Sequence, residues 1–352
     1  MSEKVLHLID HMRLGGAQEI ICTLLDLDNH FAHSLRETEN QIDCNQNYSC
    51  TNRASMFNLK CILDTYYRVK EEDITYIHCH MPFAKAVAIL IKLNPRTDVE
   101  IVFHEHGTTY RYSAFFETCL KITNHLVAGH IAVSDKSKEI LDNIGIEKEK
   151  IVVIRSFADK EKFSQSELEE FGLEIDSNES DYRFKVGFAG RIEDRKGWKT
   201  MVKLADILNH AEIFMGGVGS KSNVLKDKAS IRDNLTYLGY IDDVRQLLNH
   251  VDCIVIPSLW DPCPLIFYEC LAAGVPVVAS NCNSIDEIAE DGHNSLLFEP
   301  GNANELAERI RRLETDEDLR QKLIEGGKKF SEKNDVSEYQ NDIKSFYEQV
   351  ST

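Results

Sequence analysis

The stretch SLWDPCPLIFYECLAAGVPVVAS, residues 258–280, decides the fold of this chain. An apolar run, Cys253–Pro257, leads into it. A proline-rich loop with Asp261 follows, then a helical stretch over Leu265–Ala273 with Glu269, then Gly274-Val275-Pro276 and a second apolar run at Val277–Ala279. Strand, helix, strand in that order is a βαβ unit, which implies parallel strands with the crossover helix packed on the sheet.

The alternation extends outward in both directions. Around that unit, strands are expected at Lys185–Ala189, Glu212–Met215, Leu235–Leu238 and Ser295–Phe298, with helices at Lys199–Leu208, Lys221–Ala229, Val244–Leu248, Ile285–Ala289 and Asn304–Glu314. The first half repeats the plan, with strands at Val5–Asp10, Thr75–His80, Glu100–His104, His130–Ser134 and Ile151–Arg155. Its helices are expected at Gln18–Leu27, Phe57–Lys70, Phe83–Leu93 and Lys136–Asn143. The polar segment from about His33 to Ser55 has no pattern and reads as a long loop. Gln165–Asp181 is charged, poor in apolar residues and suits a linker. The expectation is α/β, with two Rossmann-like parallel-sheet domains over 1–160 and 184–334 joined by 161–183. A terminal helix over 335–352 shows apolar spacing at Tyr339, Ile343, Phe346 and Tyr347. Open parallel sheets bind ligands beyond the carboxyl ends of their strands. Two such edges facing one another would form a cleft.

Bulk composition agrees. The 352 residues suit about two domains, and 43% hydrophobic with 28% charged residues is globular. No run approaches the roughly 18–20 apolar residues of a membrane span. Met1-Ser2-Glu3-Lys4 leads straight into the first strand, without the order of a signal peptide. Ten cysteines lack regular spacing, and Cys263 to Cys270 does not fit a zinc site. They read as reduced thiols of a cytoplasmic protein. A net charge of −18 argues against nucleic acid as the main partner. Residues 1–157 hold 17 Lys+Arg against 21 Asp+Glu, about −4, which leaves about −14 for the rest; they also hold ten of the 13 histidines. The less acidic half could face an anionic acceptor or, peripherally, the inner surface of a membrane. Compositional drift explains the asymmetry as well.

Three segments of the second half carry candidate chemistry. In residues 258–280, Asp261 and Glu269 lie eight apart, one in the loop and one early in the helix. Carboxylates accept hydrogen bonds from vicinal hydroxyls, so Glu269 suits a ribose and Asp261 a sugar ring. In GFAGRIEDRKGW, residues 187–198, Arg191 and Lys196 flank a turn after a strand, with Gly190 and Gly197 permitting close backbone approach. Two such cations can clamp a diphosphate and stabilise it as a leaving group. FMGGVGSKSN, residues 214–223, fails as a phosphate loop because Ser220 separates Gly219 from Lys221. It fails as a dinucleotide fingerprint because Ser222 stands where a third glycine belongs.

Taken in order, these segments resemble the retaining GT-B glycosyltransferases of family 4 (glycosyl transferases group 1). The matching residues are Gly190-Arg191 with Lys196-Gly197, Gly217-Val218-Gly219, Leu238-Gly239-Tyr240, Pro257-Ser258, Asp261 with Glu269, and Gly274-Val275-Pro276-Val277-Val278. The resemblance covers roughly residues 185–300. It implies that Arg191 and Lys196 bind a donor diphosphate, Glu269 its ribose and Asp261 the donor sugar. It places the backbone at Tyr240 and Ile241 near the base, and Gly190, Gly217, Pro264 and Leu265 around the donor. Asp261 replaces the commoner Glu, Cys263-Pro264 replaces a frequent Phe-Gly, and Asn283-Ser284 stands where Gly-Gly is frequent. Those departures bear on donor-sugar identity.

In the first half, Leu14-Gly15-Gly16-Ala17-Gln18 follows a strand and opens a helix. Gly15 and Gly16 let backbone N–H groups approach phosphate, and the resemblance implies a place for them at the diphosphate and acceptor. His104-Glu105-His106-Gly107 ends another strand. The resemblance favours His106 as the histidine facing the donor sugar, although His104 alternates onto the same face. His78 and His80 end the neighbouring strand. Four histidines on adjacent strand ends suggest a metal, but the resemblance implies none is required. His78 reads as a packed core residue. The resemblance also implies that the terminal helix crosses back onto the first domain.

The expected activity is transfer of a sugar from a nucleotide diphosphate sugar to a glycan or glycolipid hydroxyl with retention of configuration, in polysaccharide or glycoconjugate synthesis. Alternatives on the same fold are a nucleotide-sugar epimerase and a non-catalytic sugar-nucleotide binder. A nicotinamide dehydrogenase is disfavoured, because neither half carries the glycine fingerprint.

Overall fold

The computed structural model describes residues 3–13, 15–36, 47–51, 59–107, 113–172 and 183–351. Leu14, Phe57 and residues 173–182 of the expected linker lie outside them. The chain divides into two compact units, one of Met1–Arg155 with Tyr339–Thr352, the other of Ser156–Glu338.

Unit one contains β1 (Val5–Ile9), α1 (Gly16–Leu24), β2 (His30–Ser34), β3 (Tyr48–Cys50), α2 (Leu59–Glu71), β4 (Tyr76–Cys79), α3 (Pro82–Lys92), β5 (Glu100–Glu105), α4 (Ala114–Thr123), β6 (Gly129–Ala132), α5 (Asp135–Ile144) and β7 (Ile151–Val153). Unit two contains α6 (Gln165–Glu169), β8 (Lys185–Ala189), α7 (Trp198–Ile207), β9 (Glu212–Gly216), α8 (Ser222–Ala229), β10 (Leu235–Gly239), α9 (Arg245–Leu248), β11 (Cys253–Ile256), α10 (Leu265–Ala273), β12 (Val277–Ser280), β13 (Leu296–Phe298), α11 (Ala303–Thr315) and α12 (Glu317–Lys333). The last helix, α13 (Val336–Val350), belongs to unit one from Tyr339 onward.

Both sheets are parallel. The seven-stranded sheet runs β3-β2-β1-β4-β5-β6-β7 and the six-stranded sheet β10-β9-β8-β11-β12-β13. Each is doubly wound, and its strand order reverses beside its first strand, between β1 and β4 in unit one and between β8 and β11 in unit two. That reversal opens a crevice at the carboxyl ends, where such sheets take ligands.

Parallel strands need apolar cover on both faces. In unit two, Val186, Phe188, Met215, Val255 and Phe298 pack with α7 and α11, while Phe214, Ile254, Ile256 and Ala279 pack with α10. In unit one, Leu6, Leu8, Ile77 and Phe103 meet α3, and Ile9 and Ala32 meet α1. Gly129 in β6 lets α13 approach closely: a Cβ there would lie 2.8 Å from Cζ of Phe346. Tyr347 of α13 reaches His78 of β4, its hydroxyl 2.6 Å from Nδ1.

Four sequence expectations change. The segment 33–55 is not all loop, because β2 and β3 extend the sheet at its edge. Their polar residues find partners, with His33 held by Ser49 and Thr51 at 2.9 Å each, so no apolar alternation announced them. Helices α4 and α12 were not anticipated. The expected helix at Ile285–Ala289 is a single 3-10 turn, Asn283–Ile285, and the turn that follows it. Residues 161–172, read as the start of a linker, are fastened to α9: Arg245 lies 3.8 Å over the Phe171 ring and Asn249 donates to the Phe171 carbonyl at 2.7 Å.

Phe346 is 2% exposed and fills the space above Gly129. Phe346→Ala is expected to lower unfolding free energy by about 3–5 kcal/mol, measured by urea denaturation. A loss below about 1 kcal/mol would show that α13 does not anchor unit one.

Candidate functional site

In unit two the loops leaving four strands are stitched together at the carboxyl end of the sheet. The Gly190 N–H donates to the Gly216 carbonyl at 3.0 Å, Gly217 to Gly239 at 2.6 Å and Ile192 to Val218 at 3.2 Å. Leu259, after β11, donates to the Arg195 carbonyl at 2.7 Å. Two glycines make this closeness feasible. Gly217 has φ 123°, and a Cβ there would sit 1.9 Å from the Gly190 oxygen. Gly197 has φ 71°, and its Cβ would sit 1.7 Å from the Pro257 oxygen. No L side chain fits either position.

This backbone carries the cations. Lys196 Nζ lies 2.5 Å from Asp261 Oδ2, and the Ser258 hydroxyl donates to the same oxygen at 3.0 Å. The Ser284 hydroxyl donates to the Asp261 main-chain carbonyl at 3.0 Å. Asp261 is 3% exposed. Its carboxylate therefore positions the Lys196 ammonium, a role the sequence reading did not assign it. Arg191, just after β8, pairs with Glu193 at 3.2 Å and keeps 58% of its side chain exposed. Helix α10 begins after Pro264 without a side-chain cap. The amides of its first turn, at Leu265, thus face the crevice side with the positive end of the helix dipole. Glu269 stands one turn further on, half-buried. Tyr240 is exposed beyond β10, while Ile241 covers Gly216, where a Cβ would be 2.0 Å from its Cδ1. Gly190, Lys196, Gly217 and Asp261 are thus gathered at one end of the sheet.

Unit one presents different chemistry at the equivalent end. Gly15 caps α1, and a Cβ at Gly16 would meet nothing within 4 Å. Asp10, after β1, accepts from the Ala84 amide of α3 at 2.8 Å, tying the two loops beside the crevice. His106 is followed by Gly107 at φ 98°, the left-handed turn that ends β5.

Behind these lies a diagonal stripe of buried imidazoles. β1 pairs His7 with His78 of β4, and β4 pairs Cys79 with Phe103 of β5, which places His80 beside His104 one step further along. His30 Nδ1 is 2.9 Å from His7 Nε2, His7 Nδ1 is 3.0 Å from His80 Nε2, and His80 Nδ1 is 2.8 Å from His106 Nε2. Burial, reinforced by neighbouring imidazoles, pushes His7, His78, His80 and His104 well below the ordinary histidine range. Burial likewise lowers His30 and His33 to about 4 and His106 to about 3. The rings are neutral at pH 7. Sequence reasoning missed His7 and His30, and it named Ser258 and Ser284 without their bonds to Asp261. The HxH spacing at 78/80 and 104/106 was the visible signal for the stripe.

A family model described as "Glycosyltransferase Family 4" matches residues 5–162, and one described as "Glycosyl transferases group 1" matches residues 173–330. Each model accounts for one half of the chain, and together they make it a glycosyltransferase of the GT-B fold. It is similar to an uncharacterized glycosyltransferase of Methanocaldococcus jannaschii, 26% identical over 80% of this chain and 78% of the relative. It is similar to the UDP-Gal:alpha-D-GlcNAc-diphosphoundecaprenol alpha-1,3-galactosyltransferase of Escherichia coli, 24% identical over 79% of this chain and 78% of that one. Among solved structures, Anabaena HepE in complex with UDP and glucose superposes with a TM-score of 0.85 at 18% identity, over 99% of this chain and 100% of HepE. Among the described residues, no helix is long and apolar enough to cross a membrane.

The histidine stripe sets a pH dependence. An unfolded chain protonates these rings near pH 6.5, whereas the folded rings resist until about pH 4 or lower. Between those values the unfolded state binds more protons, so stability is complete above about pH 6.5 and falls as pH drops toward 4. Unit two holds only His210, His250 and His293. In urea titrations at pH 7, 6 and 5 in metal-free buffer, unit one is expected to lose its midpoint steeply and to unfold first. Equal pH dependence of both units would contradict it.

Proposed function

We propose that the chain transfers a hexosyl or N-acetylhexosaminyl group from a nucleotide diphosphate sugar to a glycan or lipid-linked glycan hydroxyl, with retention of configuration. The observation that carries the proposal is the Lys196 ammonium held by Asp261, with Arg191 nearby in sequence, at the switch point of the unit-two sheet. A crevice bounded by glycine backbone, two cations and the amino end of α10 has the donors a diphosphate requires. Glu269 is proposed to accept the ribose hydroxyls, and the backbone at Tyr240 and Ile241 to border the base. Unit one is proposed to serve the acceptor, with Gly15, Gly16 and His106 at the equivalent end of its own sheet.

In the proposed step the bond between the sugar C1 and the diphosphate oxygen breaks, and a bond from C1 to the acceptor oxygen forms on the same face. The acceptor proton passes to the departing phosphate oxygen. Arg191 and Lys196 stabilise the charge that develops there, and the step is proposed to need no metal. Uridine diphosphate sugars are the donors to test first. HepE is described in complex with UDP and UDP-glucose, and the Escherichia coli relative is named for UDP-Gal. That relative's name also includes a diphosphoundecaprenol acceptor, which favours a lipid-linked glycan and a peripheral place at the inner membrane face.

A panel of nucleotide sugars is expected to raise the melting temperature selectively, and release of free nucleotide diphosphate should require acceptor. Release without acceptor would favour simple hydrolysis, and interconversion of donors an epimerase. Arg191→Ala with Lys196→Ala is expected to lower turnover by about two orders of magnitude or more. Turnover within about threefold of the unaltered protein would refute the diphosphate clamp.

A further inference from the structure

We propose that His80, His104 and His106 form a binding site for one zinc ion at the carboxyl ends of β4 and β5. One ligand nitrogen from each of the three lies within 4.8 Å of the other two. The rings lie against one another, with centroids 4.0 Å apart for His104 and His106, 5.1 Å for His80 and His106 and 5.4 Å for His80 and His104. Zinc bonds imidazole nitrogen at about 2.0–2.1 Å, so nitrogens within 4.8 Å of one another are spaced for one shared ion.

The second observation is His104 itself. It is 1% exposed, and neither ring nitrogen has a hydrogen-bond partner among the described residues. Leaving a buried polar atom unsatisfied is costly, because its hydration is lost with nothing in return. A metal would satisfy one of the two atoms and give this histidine a reason to be buried. The rest of the stripe has the arrangement that ligating histidines need behind them. With His80 Nδ1 on the metal, its Nε2–H donates to His7 Nδ1, and His7 Nε2–H donates to His30 Nδ1. Such outer donors fix the tautomer and orientation of a ligating ring.

A second group, His7, His78 and His80, is equally close but less suited. In the first group the one internal bond, His80 Nδ1 to His106 Nε2 at 2.8 Å, is what a metal between them would replace, whereas in the second both His7 nitrogens are engaged, by His80 and His30, and all three rings are buried. His106 is only half-buried and opens the first group to entry. Three neutral imidazoles without a carboxylate favour a borderline ion such as zinc over magnesium, which takes oxygen. The fourth position stays open to water or a small ligand.

The test uses the full chain without a histidine tag, stripped with chelator, dialysed against Zn2+ and analysed for bound metal by mass spectrometry. One zinc per chain is expected, with a rise in melting temperature that excess Mg2+ does not reproduce. His104→Leu and His106→Gln should each weaken binding by more than the roughly 10–100-fold that loss of an outer partner costs. His125→Ala, at an exposed position, and His78→Gln should change it less than about threefold. If His104→Leu fails to fold, the rim variant His106→Gln carries the test. Absence of bound zinc, binding unchanged in both ligand variants, or loss in His78→Gln alone would overturn the proposal. Binding is read without any sugar transfer, so the outcome is separate from that of the proposed activity.

Discussion

The contact between Gly217 and the carbonyl of Gly190 governs the rest of unit two. The main chains there pass so closely that a single methyl would fall 1.9 Å from the oxygen. Once that contact forms, the loops after β8 and β9 are locked, with the Ile192 N–H donating to the Val218 carbonyl and the Lys221 N–H to the Ile192 carbonyl across them. The turn bearing Arg191 and Lys196 then has one place to go, and Gly197 seats it against Pro257. Rigid backbone is what allows a long lysine to be aimed. The buried carboxylate of Asp261 completes the aim; Ser258 holds that carboxylate in turn, and Ser284 holds the Asp261 main-chain carbonyl.

The sequence was most legible where backbone geometry demanded particular residues. The strands β8 and β11 and the helix α10 were apparent because their runs are predominantly apolar and punctuated by glycine and proline. The first half was harder to read. β2 is HFAHS, which shows no apolar alternation, yet four of its five residues are buried because their partners satisfy them. That information is tertiary, and a local pattern does not contain it. The bounds of α1 moved for a related reason: Gly15 and Gly16, expected as a turn, already cap and open the helix. Asp261 was found as a site residue, but its bond to Lys196 spans 65 residues and could be seen only in the folded chain.

Charge shows the same separation between bulk and local properties. The half with about −14 is the one whose crevice suits an anion. Net charge sets solubility and long-range steering, screened beyond about 8–10 Å in salt. A diphosphate in contact responds instead to the few groups that touch it. Near the crevice the acids are already committed: Asp261 to Lys196, Glu193 to Arg191 and Arg195, Asp194 to Lys199. Pairing each acid with a cation leaves the positive amino end of α10 unopposed by a free carboxylate from these residues.

The two sheets share a strand plan but solve the same topological problem with different side chains. In unit two the switch point carries the cationic side chains of Arg191 and Lys196. In unit one it is backed by imidazoles kept neutral by burial. A neutral imidazole both donates and accepts, so a chain of them can pass hydrogen bonds inward from His106 to His30 without burying charge. Apolar residues in those positions would pack at lower cost, and eight polar rings beneath one sheet call for a reason beyond stability. Each ring but His78, His104 and His130 has both nitrogens accounted for or reaching past the described contacts. Two of those exceptions lie within the stripe, next to His80. Within the stripe, the incompleteness falls on the neighbouring strands β4 and β5, toward the edge where a doubly wound sheet presents its ligand.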